Sequence, residues 1–270
     1  GSWPTDWPAT IQQKWNAVLN RLPHRRGAAH AQPEDAAVIN FDTVGAENTW
    51  NQNAHDFSAQ HIEELTSMLQ LCQENGTRLL LISAPKTTLD VVSYETYFDD
   101  YAYFKQLAAQ YGASYYDFNL AKPELFENKE PDYHKDFTHM NAAGGHAFSL
   151  SMAKFLAMLD AGQDVESLFE TPSEYLAAVN YITNVYMTPE VHPDKILLLA
   201  GSYHGPSVQA EYEFWVKAPG ESEYSRVSAY STRSWTEYAA EHGTYQFRVN
   251  ARIVGSSADF ERYYECSVDF

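Results

Sequence analysis

Apolar positions between residues 58 and 160 recur in two alternating rhythms. Ile62, Leu65, Leu69 and Cys72 repeat at helical spacing behind Ser58, a residue suited to capping, and Asn75-Gly76 stops the run. Arg78-Leu79-Leu80-Leu81-Ile82-Ser83 is then an unbroken apolar run, as expected of a strand buried on both faces of a parallel sheet. A second helix is predicted over 97–111, ended by Gly112, and a second strand over 114–118. A last helix over 143–159 turns Phe148, Met152, Phe155, Leu156 and Leu159 inward. This order predicts half of a three-layer α/β domain with a parallel sheet, spanning 58–160.

On either side the pattern changes. Residues 1–57 read as an irregular lead-in. A short helix is predicted there over 11–22 and a short strand over 38–41. Residues 161–183 read as a linker with a helix, with Tyr175, Val179, Ile182 and Tyr186 on one docking face. From there to the C-terminus, a domain of 184–270, short alternating runs take over. Strands are predicted over 196–200, 210–216, 244–254 and 263–270, with turn signals at 201–205, Pro219-Gly220, Glu241-His242-Gly243 and Gly255-Ser256-Ser257. Tyr245, Phe247 and Val249 share one face; Gln246, Arg248 and Asn250 share the other. An all-β, immunoglobulin-like antiparallel sandwich is the expectation.

Composition narrows the function classes. The 270 residues carry a formal charge of −18. Nucleic acid is therefore not an expected partner, because phosphate binding needs concentrated Lys and Arg, and the same argument applies to an anionic membrane surface. No apolar run approaches the roughly 20 residues of a membrane helix. The opening Gly1-Ser2 reads as an expression scar, so an upstream signal or anchor is expected to have been removed. The two cysteines, Cys72 and Cys266, have neither disulfide nor metal spacing and read as buried free thiols.

The chemistry concentrates in Asp136-Phe137-Thr138-His139-Met140-Asn141, between the strand Tyr115-Tyr116-Asp117-Phe118 and the last helix. An Asp three residues before a His can hold one imidazole nitrogen and leave the other as a base. The plainer reading makes Asp136 and His139 structural loop residues. Asn141 is a candidate binding residue or, more plainly, the cap of the following helix. His134 and His139 lack a third ligand at useful spacing, so neither a metal nor another cofactor is expected. Lys86, just past a strand end, is a candidate for binding an anionic group or a solvated surface lysine. Gly201-Ser202-Tyr203-His204-Gly205 looks like a nucleophile turn, but no helix follows it, and it reads as a hairpin loop.

From Ile62 to Leu159 the chain resembles the C-terminal half of an SGNH/GDSL-type hydrolase domain. The resemblance runs through Leu71-Cys72-Gln73-Glu74-Asn75-Gly76, Leu79-Leu80-Leu81-Ile82-Ser83-Ala84-Pro85, Tyr116-Asp117-Phe118-Asn119, and Asp136 to Asn141 with Gly144. It extends to extracytoplasmic bacterial proteins related to the acyl-transfer proteins of D-alanylation and alginate O-acetylation. Tyr212-Glu213-Phe214-Trp215-Val216, Ala229-Tyr230-Ser231 and the run from Gly243 to Val249 resemble triple-tyrosine or fibronectin-like sandwiches of bacterial surface proteins.

The first resemblance implies His139 as general base and Asp136 as its orienter. It also implies an acylated carbohydrate or cell-wall polymer as partner, and an extracellular or cell-surface location. The family's nucleophilic Ser belongs to an earlier block. Here only Thr43, in Phe41-Asp42-Thr43, stands near such a position, and a polar turn after a strand is its plainer reading. The expected whole is the C-terminal portion of an ester hydrolase or O-acyltransferase, inactive alone, with its serine upstream of residue 1. The alternative is a non-catalytic surface module that binds glycan or protein.

Overall fold

The structure is a computed structural model that describes residues 57–94, 96–134 and 138–270. The short helix over 11–22, the strand over 38–41, Thr43 and Asp136 all lie outside the described residues.

The N-terminal unit is a small parallel α/β assembly: α1 (Ala59–Glu74), β1 (Leu80–Ser83), α2 (Thr88–Ser93), α3 (Tyr97–Gln110), β2 (Ser114–Asp117) and α4 (Ala142–Asp160). Ser58 caps α1 by accepting the His61 N–H at 3.1 Å. β1 and β2 pair in parallel, with Ser83 opposite Asp117. Successive β2 side chains point to opposite faces, and each face meets a helix. Tyr115 packs beside Tyr101 of α3, with ring centroids 5.7 Å apart. Tyr116 meets Phe155 of α4 at 4.8 Å, edge to face. Phe118, fully buried, gathers Phe148, Phe155 and Phe169 at 5.2–5.4 Å. Such pairs add about 0.5–1.5 kcal/mol each beyond burial of area.

Helix α2 has no counterpart in the apolar rhythm because it is only six residues long. Thr87 caps it, and its Leu89 and Val91 are buried. Val91 packs with Leu120, Tyr175 and Val179, the last two from α5 (Pro172–Ala178) and its C-cap. A reciprocal Thr171–Glu174 capping box starts α5.

The C-terminal part is antiparallel. One sheet orders β3 (Ile182–His192), β4 (Lys195–His204) and β7 (Trp235–Ala239). The other orders β6 (Ser225–Ser231), β5 (Ala210–Lys217), β8 (Thr244–Ile253) and β9 (Arg262–Asp269). One hydrophobic cluster draws on both, with Val185, Ile196 and Leu198 from the first and Phe214, Phe247 and Val249 from the second. The opposite face of the four-stranded sheet is polar, as its alternation requires. There Arg248 lies over the rings of Tyr224 and Tyr263 and pairs with Glu265, and Arg252 lies over Tyr230 and pairs with Glu211.

Two expectations need correction. Ile182 and Tyr186 are not on a helical face with Tyr175 and Val179; they belong to β3, and the change of element falls between Ala178 and Ile182. Nor is 201–205 a hairpin loop. β4 runs through Gly201 to His204 because Gly201 leaves room for the Tyr186 ring: a Cβ there would stand 2.3 Å from it.

The two parts meet through α2, which packs against β3 and β4. They also meet at Gly205, whose N–H donates to the Val179 carbonyl at 3.0 Å. Both cysteines are free and half-buried, and burial pushes the Cys266 thiol up to about 11.

Candidate functional site

Sites in open α/β sheets form beyond the carboxyl ends of the strands. β1 ends at Ser83 and β2 at Asp117, and the chain there builds a polar framework. The Asp117 carboxylate accepts from the Tyr97 hydroxyl at 2.8 Å, the Asn119 backbone N–H at 2.9 Å and the Asn119 side-chain amide at 2.7 Å. Asn119 Oδ1 in turn accepts the Lys86 N–H at 2.7 Å, and Asn128 Nδ2 donates to the Lys86 carbonyl at 2.7 Å. Strand ends, α3 and the loop after β2 are thus tied together through the buried Asn119 amide and the exposed Asn128 amide.

Electrostatics follow from that burial. Desolvation raises the Asp117 carboxyl above its ordinary range, while its donors from Asn119 and Tyr97 and the nearby Lys86 pull it down. Tyr97 is pushed far up by burial and then by Asp117. Tyr115 is pushed up to about 12, again by burial first and Asp117 second. These hydroxyls therefore stay protonated donors.

Beside the framework lies a cleft of about 560 Å³ lined by the end of β1 and the residues after it, by Tyr115 of β2, by α2 and α3, and by Thr138, His139 and Met140. The loop holding His139 is closed at its base. His134 N–H donates to the His139 carbonyl at 2.8 Å, and Tyr133 bridges to Met140. His139 is solvent-exposed at the cleft rim. Across the same space, Ser83 Oγ sits 2.7 Å from the Tyr115 hydroxyl.

Lys86 lines the cleft too, with its ammonium 2.9 Å from Asp90 Oδ2. Its charge is therefore directed to an internal partner. Asn141 does not line the cleft. Its Oδ1 caps α4 by accepting the Ala143 and Gly144 N–H groups at 2.9 and 3.1 Å, and its Nδ2 donates to the Pro131 carbonyl at 2.8 Å. A residue 3% exposed with both amide atoms engaged serves the fold, so the candidate binding role passes to the plainer capping one.

No family model matches this chain, and no curated protein matches it either. The site therefore rests on its own geometry. That geometry brings together His139, Lys86 and Ser83, and leaves Asn141 one step behind as the cap of the adjoining helix. Among the described residues no group of three or more His, Cys, Asp or Glu side chains is arranged to hold a metal ion, and no helix is long and apolar enough to cross a membrane.

No site role was expected of Tyr97, Tyr115, Asp90 or Asp117, although Asp117 stands in the Tyr116–Asn119 run that carries the resemblance. One signal was present for Asp117: a carboxylate and an amide, Asp117 and Asn119, directly follow an aromatic strand where a buried sheet edge ends. Tyr97 and Asp90 carry no such signal. They become neighbours only when α2 and α3 fold over the strand ends.

Proposed function

We propose that the α/β unit is the base-bearing and substrate-binding portion of an SGNH-type ester hydrolase or O-acyltransferase site for acylated carbohydrate or cell-wall polymer at a bacterial cell surface. The antiparallel part is an immunoglobulin-like sandwich serving as its accessory domain. The observation that carries this reading is the position of His139, on a closed loop at the rim of a largely apolar, aromatic-walled cleft beside the ends of two parallel strands. In this reading Asp136 receives the His139 Nδ1–H, leaving Nε2 to draw a proton from the attacking hydroxyl. The buried Asp117–Tyr97–Asn119 framework keeps the strand ends and Lys86 in fixed register beneath the substrate.

Two measurements test it. Long-range proton–nitrogen correlation of the imidazoles should find neutral His139 protonated on Nδ1, and Asp136→Asn should redistribute that proton. Identical tautomers in the two proteins would remove the Asp–His pair. The chain itself should hydrolyse p-nitrophenyl acetate no faster than its His139→Ala variant, since the resemblance assigns the serine to an earlier block. A rate abolished in both His139→Ala and Ser83→Ala would instead make Ser83 the nucleophile.

A further inference from the structure

The cleft has a sign as well as a shape. We propose that it selects acyl sugars that are uncharged or carry an amine, and that it rejects uronates and phosphodiester-bearing polymers. The proposal rests on the reading of the site as one for acylated carbohydrate and narrows that substrate class.

Its walls suit a sugar ring. Tyr101, Phe104 and Tyr115 form a continuous half-buried aromatic surface, with centroid separations of 5.7 Å for Tyr101–Tyr115 and 6.3 Å for Phe104–Tyr115, and Phe57 extends it at 4.9 Å from Phe104. Apolar faces of a pyranose pack on such rings, and the cleft's size lies within the ordinary range for small-molecule sites. The Ser83 and Tyr115 hydroxyls, 2.7 Å apart, offer both donor and acceptor to a ring hydroxyl or an ester carbonyl.

The charges then decide between sugars. Lys86 is the single lysine or arginine among the described lining residues, and Asp90 neutralises it at 2.9 Å. Asp100 adds a second carboxylate to the lining, and Asp117 lies directly behind the Tyr97 hydroxyl. An anionic sugar would enter against these groups and would have to draw Lys86 away from Asp90. The protein's overall charge of −18 opposes its approach from further out. Among the described lining residues an amine finds two carboxylates, Asp90 and Asp100, against the one Lys86 ammonium, and a neutral hydroxyl carries no charge for them to oppose.

Three matched probes test this with the full chain at neutral pH and low salt: a methyl 4-O-acetylglucoside, the corresponding methyl 4-O-acetylglucosaminide, and the corresponding methyl 4-O-acetylglucuronide. Binding is read by calorimetry. The first two should bind, and the glucuronide should bind at least about tenfold more weakly, as expected for a like charge a few ångströms away at a partly screened site. Asp100→Asn should narrow that gap, while Tyr101→Ala should weaken all three. A glucuronide that binds as tightly as the glucoside overturns the proposal, and so does the absence of millimolar binding by any probe. The His139 tautomer decides the Asp–His pair separately, so a wrong sugar class and a wrong catalytic reading leave different signatures.

Discussion

Gly144 and Gly145 are neighbours in the first turn of α4, and replacing each by alanine should move stability in opposite directions. A Cβ at Gly144 would stand 2.3 Å from the Asp132 carbonyl oxygen and 3.0 Å from the Asp132 Cβ. That same carbonyl accepts the Asn141 N–H at 2.8 Å, so the helix start and the loop leading to His139 are pressed together there. Relief requires a backbone shift approaching an ångström. Overpacking of this kind costs about 1–3 kcal/mol, and a weakened Asn141 hydrogen bond adds about 1 kcal/mol. The helix gains up to about 1 kcal/mol from alanine over glycine. The net expectation for Gly144→Ala is a loss of about 1–3 kcal/mol.

At Gly145 a Cβ meets no heavy atom within 4 Å, so Gly145→Ala keeps the helix gain alone and should stabilise by about 0.5–1 kcal/mol. Urea titration followed by far-ultraviolet circular dichroism measures both. For a chain of this size about 1 kcal/mol corresponds to about 2–4 °C in Tm, so the two variants should separate clearly on a thermal melt. If both alanines stabilise equally, α4 does not pack on Asp132, and the placement of the His139 loop falls with it.

Three further outcomes follow from the same contacts. Asn141→Ala should cost about 2–3 kcal/mol, the sum of a lost N-cap and a lost buried hydrogen bond, and Asn141→Asp should cost less because it retains the cap; denaturant titration ranks the two. Asp117 has a folded pKa raised chiefly by burial, so its contribution to stability is present at low pH and is lost as pH rises through that folded value. Asp117→Asn should therefore gain on the wild type as pH climbs from the ordinary carboxylate range, and a difference that stays flat or reverses would contradict the burial argument. A fragment of residues 180–270 should be soluble with β-type circular dichroism. One beginning at residue 184 should melt lower, since it lacks Ile182, which is 1% exposed and part of the tail core; equal melting would place Ile182 outside that core.

The helices were legible where their apolar faces were long enough to show a period. α1 and α4 begin at their caps, Ser58 and Asn141, and end within a residue or two of the expected positions. The parallel strands were legible as apolar or aromatic runs, and β5 and β8 as alternations. α2 escaped because six residues hold less than two turns, and because its buried Leu89 and Val91 are explained only by partners far along the chain. β3 escaped because Tyr175, Val179, Ile182 and Tyr186 are spaced as a helix would space them, although a strand begins midway through the set. At the site, His139 stood out through Asp136 three residues before it, and Lys86 as a lysine just past a strand end. The tyrosines and Asp90 that give the cleft its walls and its sign are ordinary in sequence and are assembled only by long-range packing.

Helix α2 lies between two environments. Asp90 and Ser93 look into the cleft, while Leu89 and Val91 are buried and the helix packs against β3 and β4. With Gly205 hydrogen-bonded to the last carbonyl after α5, the tail is fastened to the wall of the cleft and does not swing from a tether. The helix that carries Asp90, the partner of Lys86, is therefore the same helix on which the tail strands pack, so the cleft wall and the tail share one element.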